Sequence, residues 1–300
     1  MKTLPQNLRE VYPFKNHFLD VGEGNRIHYV DEGEGDAVVM LHGNPTWSFY
    51  YRNLIRELCS TFRCIAIDNM GCGLSDKPQT YAYRLANHIA NARKVIEYLK
   101  LGHFHLVMHD WGCAIGMALA ERWPERIESL TIMNGAAFRS PHIPFRIAIC
   151  KLPLIGDLLI RGLNAFVLGA NFMAAEKGLD STATEGYRFP YDSWKNRIAL
   201  KKFVADIPLA PKHPSWETLT QIENALFLLS QKKILILWGD RDFCFTDWFL
   251  REWESFFYGA QVVRYEEAGH YVLEDMAIEA IATIRSFMVR TKKPDVLLYP

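Results

Sequence analysis

Asp110, Asp242 and His270, in that chain order, supply the three side-chain types needed to displace a leaving group through a covalent ester. One carboxylate attacks carbon, a histidine activates water, and a second carboxylate orients that histidine. Each follows a short apolar run. His105–Met108 leads into His109-Asp110-Trp111-Gly112, an apolar strand that turns into a small-residue helix. In a nucleophile elbow the reactive residue occupies such a corner, where the next backbone N–H points at developing negative charge. Taken alone, Asp110 serves equally well as an N-cap for the helix beginning near Gly112. The runs Ile234–Trp238 and Gln261–Tyr265 lead into Asp242 and His270, which completes the order nucleophile, acid, histidine. Asp240 competes for the acid's role and lies two residues nearer its strand. A further run, Ala37–Leu41, opens into His42-Gly43-Asn44-Pro45-Thr46-Trp47. This position suits the loop whose backbone N–H, at Asn44, completes an oxyanion hole with that of Trp111. The same segment also reads as a plain turn with Pro45 fixing φ.

The elements that must position these residues alternate. Arg26–Tyr29, Cys64–Ile67 and Leu130–Met133 also read as strands, and Asn87–Leu99, Gly112–Arg122 and Trp248–Phe256 read as helices. The alternation predicts an α/β fold, a doubly wound and mainly parallel sheet with helices on both faces. From about Arg139 to Leu229 strand signals lapse and apolar helical periodicity takes over. The expected division is a core of residues 1–138 and 229–300 with a helical cap at 139–228. The cap is either a lid over an apolar pocket or a subdomain with its own core.

Composition narrows the class. With Lys+Arg 34 against Asp+Glu 34 the formal charge is zero, so nothing in the overall balance favours nucleic acid or an anionic membrane as a partner. The six cysteines contain no C-x-x-C pair and the first residues lack an apolar leader, so a reducing, cytoplasmic setting is expected. No charge-free stretch reaches the ~18 residues of a transmembrane segment. In Ile67–Asp76 a Gly-x-Gly follows a strand, but Asp76 occupies the third glycine position of a dinucleotide fingerprint. His103, His105 and His109 have no cysteine or acid cluster to complete a metal set. No cofactor and no metal are expected.

The segments HGNPTWSFYYR, DNMGCGLSDKP, HDWG, WGDRDF and GHYVLED, in this order and spacing, resemble the haloalkane dehalogenase family of α/β-hydrolases along nearly the whole chain. Through Leu163-Asn164-Ala165-Phe166, Tyr191–Arg197 and Asp206–Leu209 the chain is similar to the subgroup that includes the β-lactone decarboxylases of olefin biosynthesis. The resemblance implies that Asp110 is the nucleophile, His270 the base and Asp242 its orienting acid. It also implies that the Asn44 carboxamide and the Trp111 indole hold the leaving halide. A departing halide needs N–H donors in a dry pocket, and these groups supply them.

The first expectation is therefore a haloalkane dehalogenase acting on a small apolar substrate. The alternative is a decarboxylase of long-chain β-lactones, whose partners would be the other enzymes of that pathway. An epoxide hydrolase would need two cap tyrosines, for which Tyr187 and Tyr191 are the candidates, and a non-catalytic receptor remains a further class. Expected pocket residues are Phe138, Phe145, Pro208 and Leu273, while Phe166, Phe172, Tyr187 and Trp194 either line the pocket or fill a core. Met108 and Cys113, bulky residues beside the nucleophile, depart from the family pattern and need room made for them.

Overall fold

The structure, a computed structural model, describes residues 3–291. The ends of the expected core at 1–2 and 292–300 lie outside the described residues. The strands are β1 His17–Asp20, β2 Arg26–Glu32, β3 Asp36–Leu41, β4 Phe62–Ile67, β5 Phe104–Asp110, β6 Ile127–Gly135, β7 Lys233–Gly239 and β8 Gln261–Tyr265, and the central ones, β3 to β7, are built on short apolar runs rich in Val, Ile and Leu. They make one sheet in the order β1-β2-β4-β3-β5-β6-β7-β8. The pairs β1–β2 and β2–β4 are antiparallel and all others parallel. In register, Leu41 lies opposite Met108, Met108 opposite Ile132, and Ile132 opposite Ile236, so the strands carrying the candidate residues end along one edge.

The central strands are buried on both faces, which explains their unbroken apolar runs. Alternate residues divide between two cores. Val39, Leu41, Leu106 and Met108 pack with helices Leu85–Tyr98 and Trp111–Arg122. Val38, Met40 and Val107 pack with Arg52–Leu58 and Ala277–Thr291 on the other face. Besides the helices Gln6–Val11 and Arg52–Leu58, further elements went unanticipated in the sequence. β1 is a half-exposed edge strand with too few apolar residues to stand out, and helix Ala277–Thr291 follows the histidine motif.

Between β6 and β7 the described residues contain helices and no strand. The main ones are Phe145–Lys151, Ala165–Met173, Ser181–Arg188, Ile198–Ala205 and Trp216–Ala225, with a π-helical turn at Asp157–Gly162. This cap has a small core of its own, built on Ile160, Val167, Tyr191, Leu200 and Val204. Another of its faces looks across a cavity at the strand ends.

Candidate active site

Asp110 is the last residue of β5 and precedes helix Trp111–Arg122, with φ 53° and ψ −124°. A non-glycine residue is held in this region only where the surroundings over-determine it, and such strain characterises a nucleophile elbow. Its side chain makes no capping bond to the helix, so the N-cap alternative falls away. Instead the Asp110 carboxylate accepts the Asn44 N–H at 2.9 Å and the Trp111 N–H. Gly43 makes room for this: a Cβ there would lie 1.9 Å from Asp110 Oδ1.

His270 comes from the loop after β8. Its Nε2 lies 3.8 Å from Asp110 Oδ2, and its Nδ1 2.8 Å from Asp242 Oδ2. Asp242 therefore fixes the ring from behind and leaves Nε2 facing the Asp110 carboxylate. Asp240 is turned to the surface, where it pairs with Arg264 at 2.9 Å. Between the two acids, geometry selects Asp242.

Sequence reasoning missed Asn134. It follows the apolar run Leu130–Met133 and has φ 23°. Its Nδ2 donates to Asp242 Oδ2 at 3.0 Å and to the Gly239 carbonyl at 3.1 Å, while its Oδ1 accepts the Gly239 N–H at 2.8 Å. With the Cys244 N–H at 2.6 Å from Asp242 Oδ1, it locks the acid in place. A lone polar residue ending an apolar strand was the available signal.

Burial pushes the Asp110 carboxyl up to about 6, against the opposing pull of His270 and the two backbone N–H groups. For His270 burial works downward, but Asp242, through charge and hydrogen bond, and then Asp110 outweigh it and raise the imidazole pKa. The three histidines on or near β5 do not converge. His103 pairs with Glu128, His105 bonds Ser129, and His109 Nε2 bonds the His270 carbonyl at 2.9 Å. Among the described residues no cluster of three or more His, Cys, Asp or Glu side chains could hold a metal.

The bulky residues beside the nucleophile are accommodated by glycines. A Cβ on Gly116 would meet Met108 Sδ at 2.3 Å, and one on Gly135 would meet Cys113 Sγ at 2.6 Å. Neither Met108 nor Cys113 lines the cavity.

The cavity over Asp110 has a volume of ≈ 240 Å³ and an apolar wall, with Asn44, Trp111 and His270 at its reactive end. Phe138, Pro208 and Phe166 line it. Phe145 does not: it begins its helix and projects outward, while Arg146, Ile147 and Cys150 face in. Leu273 is also corrected, since the short helix Val272–Asp275 turns it into the core below the site. Phe172 and Trp194 are exposed. Tyr187 is buried with its hydroxyl on Glu274, which also holds Arg52 at 2.5 and 2.9 Å, and Tyr191 donates to the Thr46 carbonyl at 3.2 Å. Neither tyrosine lines the cavity, so the epoxide hydrolase reading loses its proton donors.

Asn44 Nδ2 donates to the cap carbonyl of Leu200 at 3.2 Å, leaving the second N–H of that group for a ligand. The cap is also fastened beside His270. Tyr271 N–H bonds the Ala174 carbonyl at 2.6 Å, and the Asp275 carboxylate accepts the N–H groups of Gly269, Glu176 and Lys177 at 2.8, 3.0 and 2.8 Å.

Residues 36–277 match the family described as alpha/beta hydrolase fold. A cis-3-alkyl-4-alkyloxetan-2-one decarboxylase of Shewanella oneidensis is 42% identical over 292 residues, 95% of this chain and 92% of that protein. Haloalkane dehalogenase 2 of Mycobacterium tuberculosis is 29% identical over 280 residues, 92% of this chain and 95% of that protein. The crystal structure of haloalkane dehalogenase DatA from Agrobacterium tumefaciens superposes with a TM-score of 0.82 at 25% identity, covering 93% of this chain and 97% of the other. The elbow, the sheet order and these likenesses agree: this enzyme belongs to the alpha/beta hydrolase family, among the relatives of the haloalkane dehalogenases and the cis-3-alkyl-4-alkyloxetan-2-one decarboxylases.

Proposed function

We propose that the enzyme decarboxylates cis-3,4-dialkyl β-lactones to alkenes, which reverses the order of the two leading expectations drawn from the motifs. The observation that carries this reading is the 42% identity to a decarboxylase of that substrate class along 95% of the chain, against 29% to a dehalogenase. The apolar cavity supports it, because two alkyl arms need dry walls and a single polar end.

The chemistry follows from the residues at that end. Ionised Asp110 attacks the ring carbon that bears the lactone oxygen. A bond forms between the carboxylate and that carbon while the carbon–oxygen bond of the strained ring breaks. The departing oxygen becomes a carboxylate on the neighbouring carbon, where the Asn44 carboxamide and Trp111 indole can hold it as they would a halide. Cleavage of the bond to that carboxylate releases carbon dioxide, its electron pair forms the alkene, and Asp110 leaves as a carboxylate. Atoms and charge balance with no water consumed. Inversion in the first step and antiperiplanar loss in the second together convert a cis lactone into a cis alkene. His270, oriented by Asp242, steadies the charge on Asp110.

A haloalkane dehalogenase is the second reading, favoured by the Asn44 and Trp111 pair and by the solved dehalogenase structures. There His270 must activate water to hydrolyse the ester. His270→Ala separates the two: it traps an alkyl-enzyme adduct from a haloalkane, visible by intact mass, whereas collapse of the lactone-derived ester needs no water. The direct test supplies purified enzyme with a synthetic cis-3,4-dialkyl oxetan-2-one and, separately, with bromo- and iodoalkanes. Cis alkene is expected from the first; halide release without any alkene would overturn the proposal. A cytoplasmic setting belongs to the same reading, since the cysteines are all unpaired. So do partner enzymes that supply the lactone.

A further inference from the structure

Half of the large apolar side chains that stand exposed among the described residues fall between Phe145 and Phe172. Phe172 is 85% exposed, Leu154 83% and Phe145 77%. These helices are apolar on two sides. In Ala165–Met173 the cavity is lined by Phe166, Gly169, Ala170 and Met173, whereas Leu168 and Phe172, one turn apart, face away. Arg146 donates to Met173 Sδ at 2.8 Å, so two cap helices meet at the cavity wall, and the chain neighbours of this pair, Phe145 and Phe172, are directed outward. Between these helices Leu154 stands in left-handed backbone, φ 63°, on an exposed apolar turn.

Charge chooses among occupants. From Arg139 to Met173 the bases are Arg139, Arg146, Lys151 and Arg161; Arg139 is paired with Glu223 and Arg161 with Asp157, so the basic excess, on a chain whose net charge is zero, rests on Arg146, Lys151 and the Lys201 packed beside them. A second copy of the chain seated symmetrically on this face would oppose like charges. An anionic bilayer satisfies both the apolar side chains and the basic excess.

We propose that this outer face of the cap docks on anionic lipid surfaces, with the Leu154 turn and Phe172 entering the headgroup–acyl boundary. An apolar substrate then passes from the bilayer to the cavity without crossing water. The docking stands on the patch and its charge; the passage of substrate rests on the β-lactone reading.

Flotation of the full chain with vesicles tests the docking without requiring turnover. The wild type floats with phosphatidylcholine vesicles containing about 30% phosphatidylglycerol and less with phosphatidylcholine alone. The double variant Leu154→Asp, Phe172→Asp floats at least about tenfold less. Neither side chain lines the cavity, so the variant keeps the wild-type circular dichroism and its rate on a short, water-soluble substrate. Wild type that stays unfloated with anionic vesicles, even if it captures an acidic protein, overturns the proposal, as does a double variant that floats equally well. A lipid-free dimer that the double variant dissociates would put a second copy on this face and overturn the proposal too. Intact flotation in an enzyme that makes no alkene would remove the β-lactone reading and leave the docking standing.

Discussion

The strand ends and the cap helices face each other across one cavity and are built on opposite principles. At the strand ends each reactive group is held by backbone: Asp110 by two N–H groups, Asp242 by the Cys244 N–H and by Asn134. The cap contributes to the cavity mainly apolar side chains on short helices. A reaction that must place charge within a fraction of an ångström needs the first kind of construction. A site that only has to exclude water and measure chain length can use the second. Substitutions at the strand ends should therefore lower rates whatever the length of the substrate's alkyl chains, and substitutions in the cap should discriminate among chain lengths.

The largest effect is expected for Asp110→Asn, which should cost at least about 10⁴-fold in kcat on lactones and haloalkanes alike, read by alkene and halide assays. Asn134→Ala leaves the triad present and its acid loose. A fall of about 10- to 100-fold in kcat is expected on both substrate classes, as for other residues that orient a reacting group. In the cap, Gly169→Leu should lose about 10- to 100-fold in kcat/KM on the longest alkyl arms and leave the shortest substrates nearly unchanged. Equal losses on long and short substrates would erase the contrast between the regions. The pH profile comes next. Asp110 attacks only when ionised and its pKa is raised to about 6, so kcat/KM should fall as pH drops through that value, approaching tenfold per unit below it. Haloalkane hydrolysis also needs neutral His270, whose pKa is raised, so only that reaction should keep climbing at higher pH. The smallest effect concerns stability. Gly116→Ala should cost about 1–3 kcal/mol in urea unfolding because its methyl group meets Met108, and Met108→Val in the same chain should recover most of it.

The same contrast governs what could be read in advance. β3, β5, β6 and β7 announce themselves because buried parallel strands are continuous apolar runs closed by Gly, Asp or Asn. The order Asp110, Asp242, His270 then locates the chemistry, because ends of neighbouring parallel strands converge. Asn134 escaped because a side chain that clamps another strand leaves no spacing signature. In the cap, Phe145 and Phe166 look alike in sequence, yet only one faces the cavity, since direction depends on how each helix is rotated against its neighbours. Leu273 fails for the same reason: its helix is four residues long, too short to show a periodic face.

The fastening of the cap beside His270 has a mechanical consequence. Ala174, Glu176 and Lys177 are tied to the loop carrying the histidine through Tyr271 and Asp275. Lifting the cap from that side would drag His270 away from Asp110. The fastening thus acts as an interlock, under which the lid cannot gape there while the nucleophile and histidine remain aligned. Passage into the cavity is left to parts of the cap away from residues 174–177. On the β-lactone reading proposed above, entry of the lactone and release of the alkene would then depend on cap segments other than the one tied to the histidine loop.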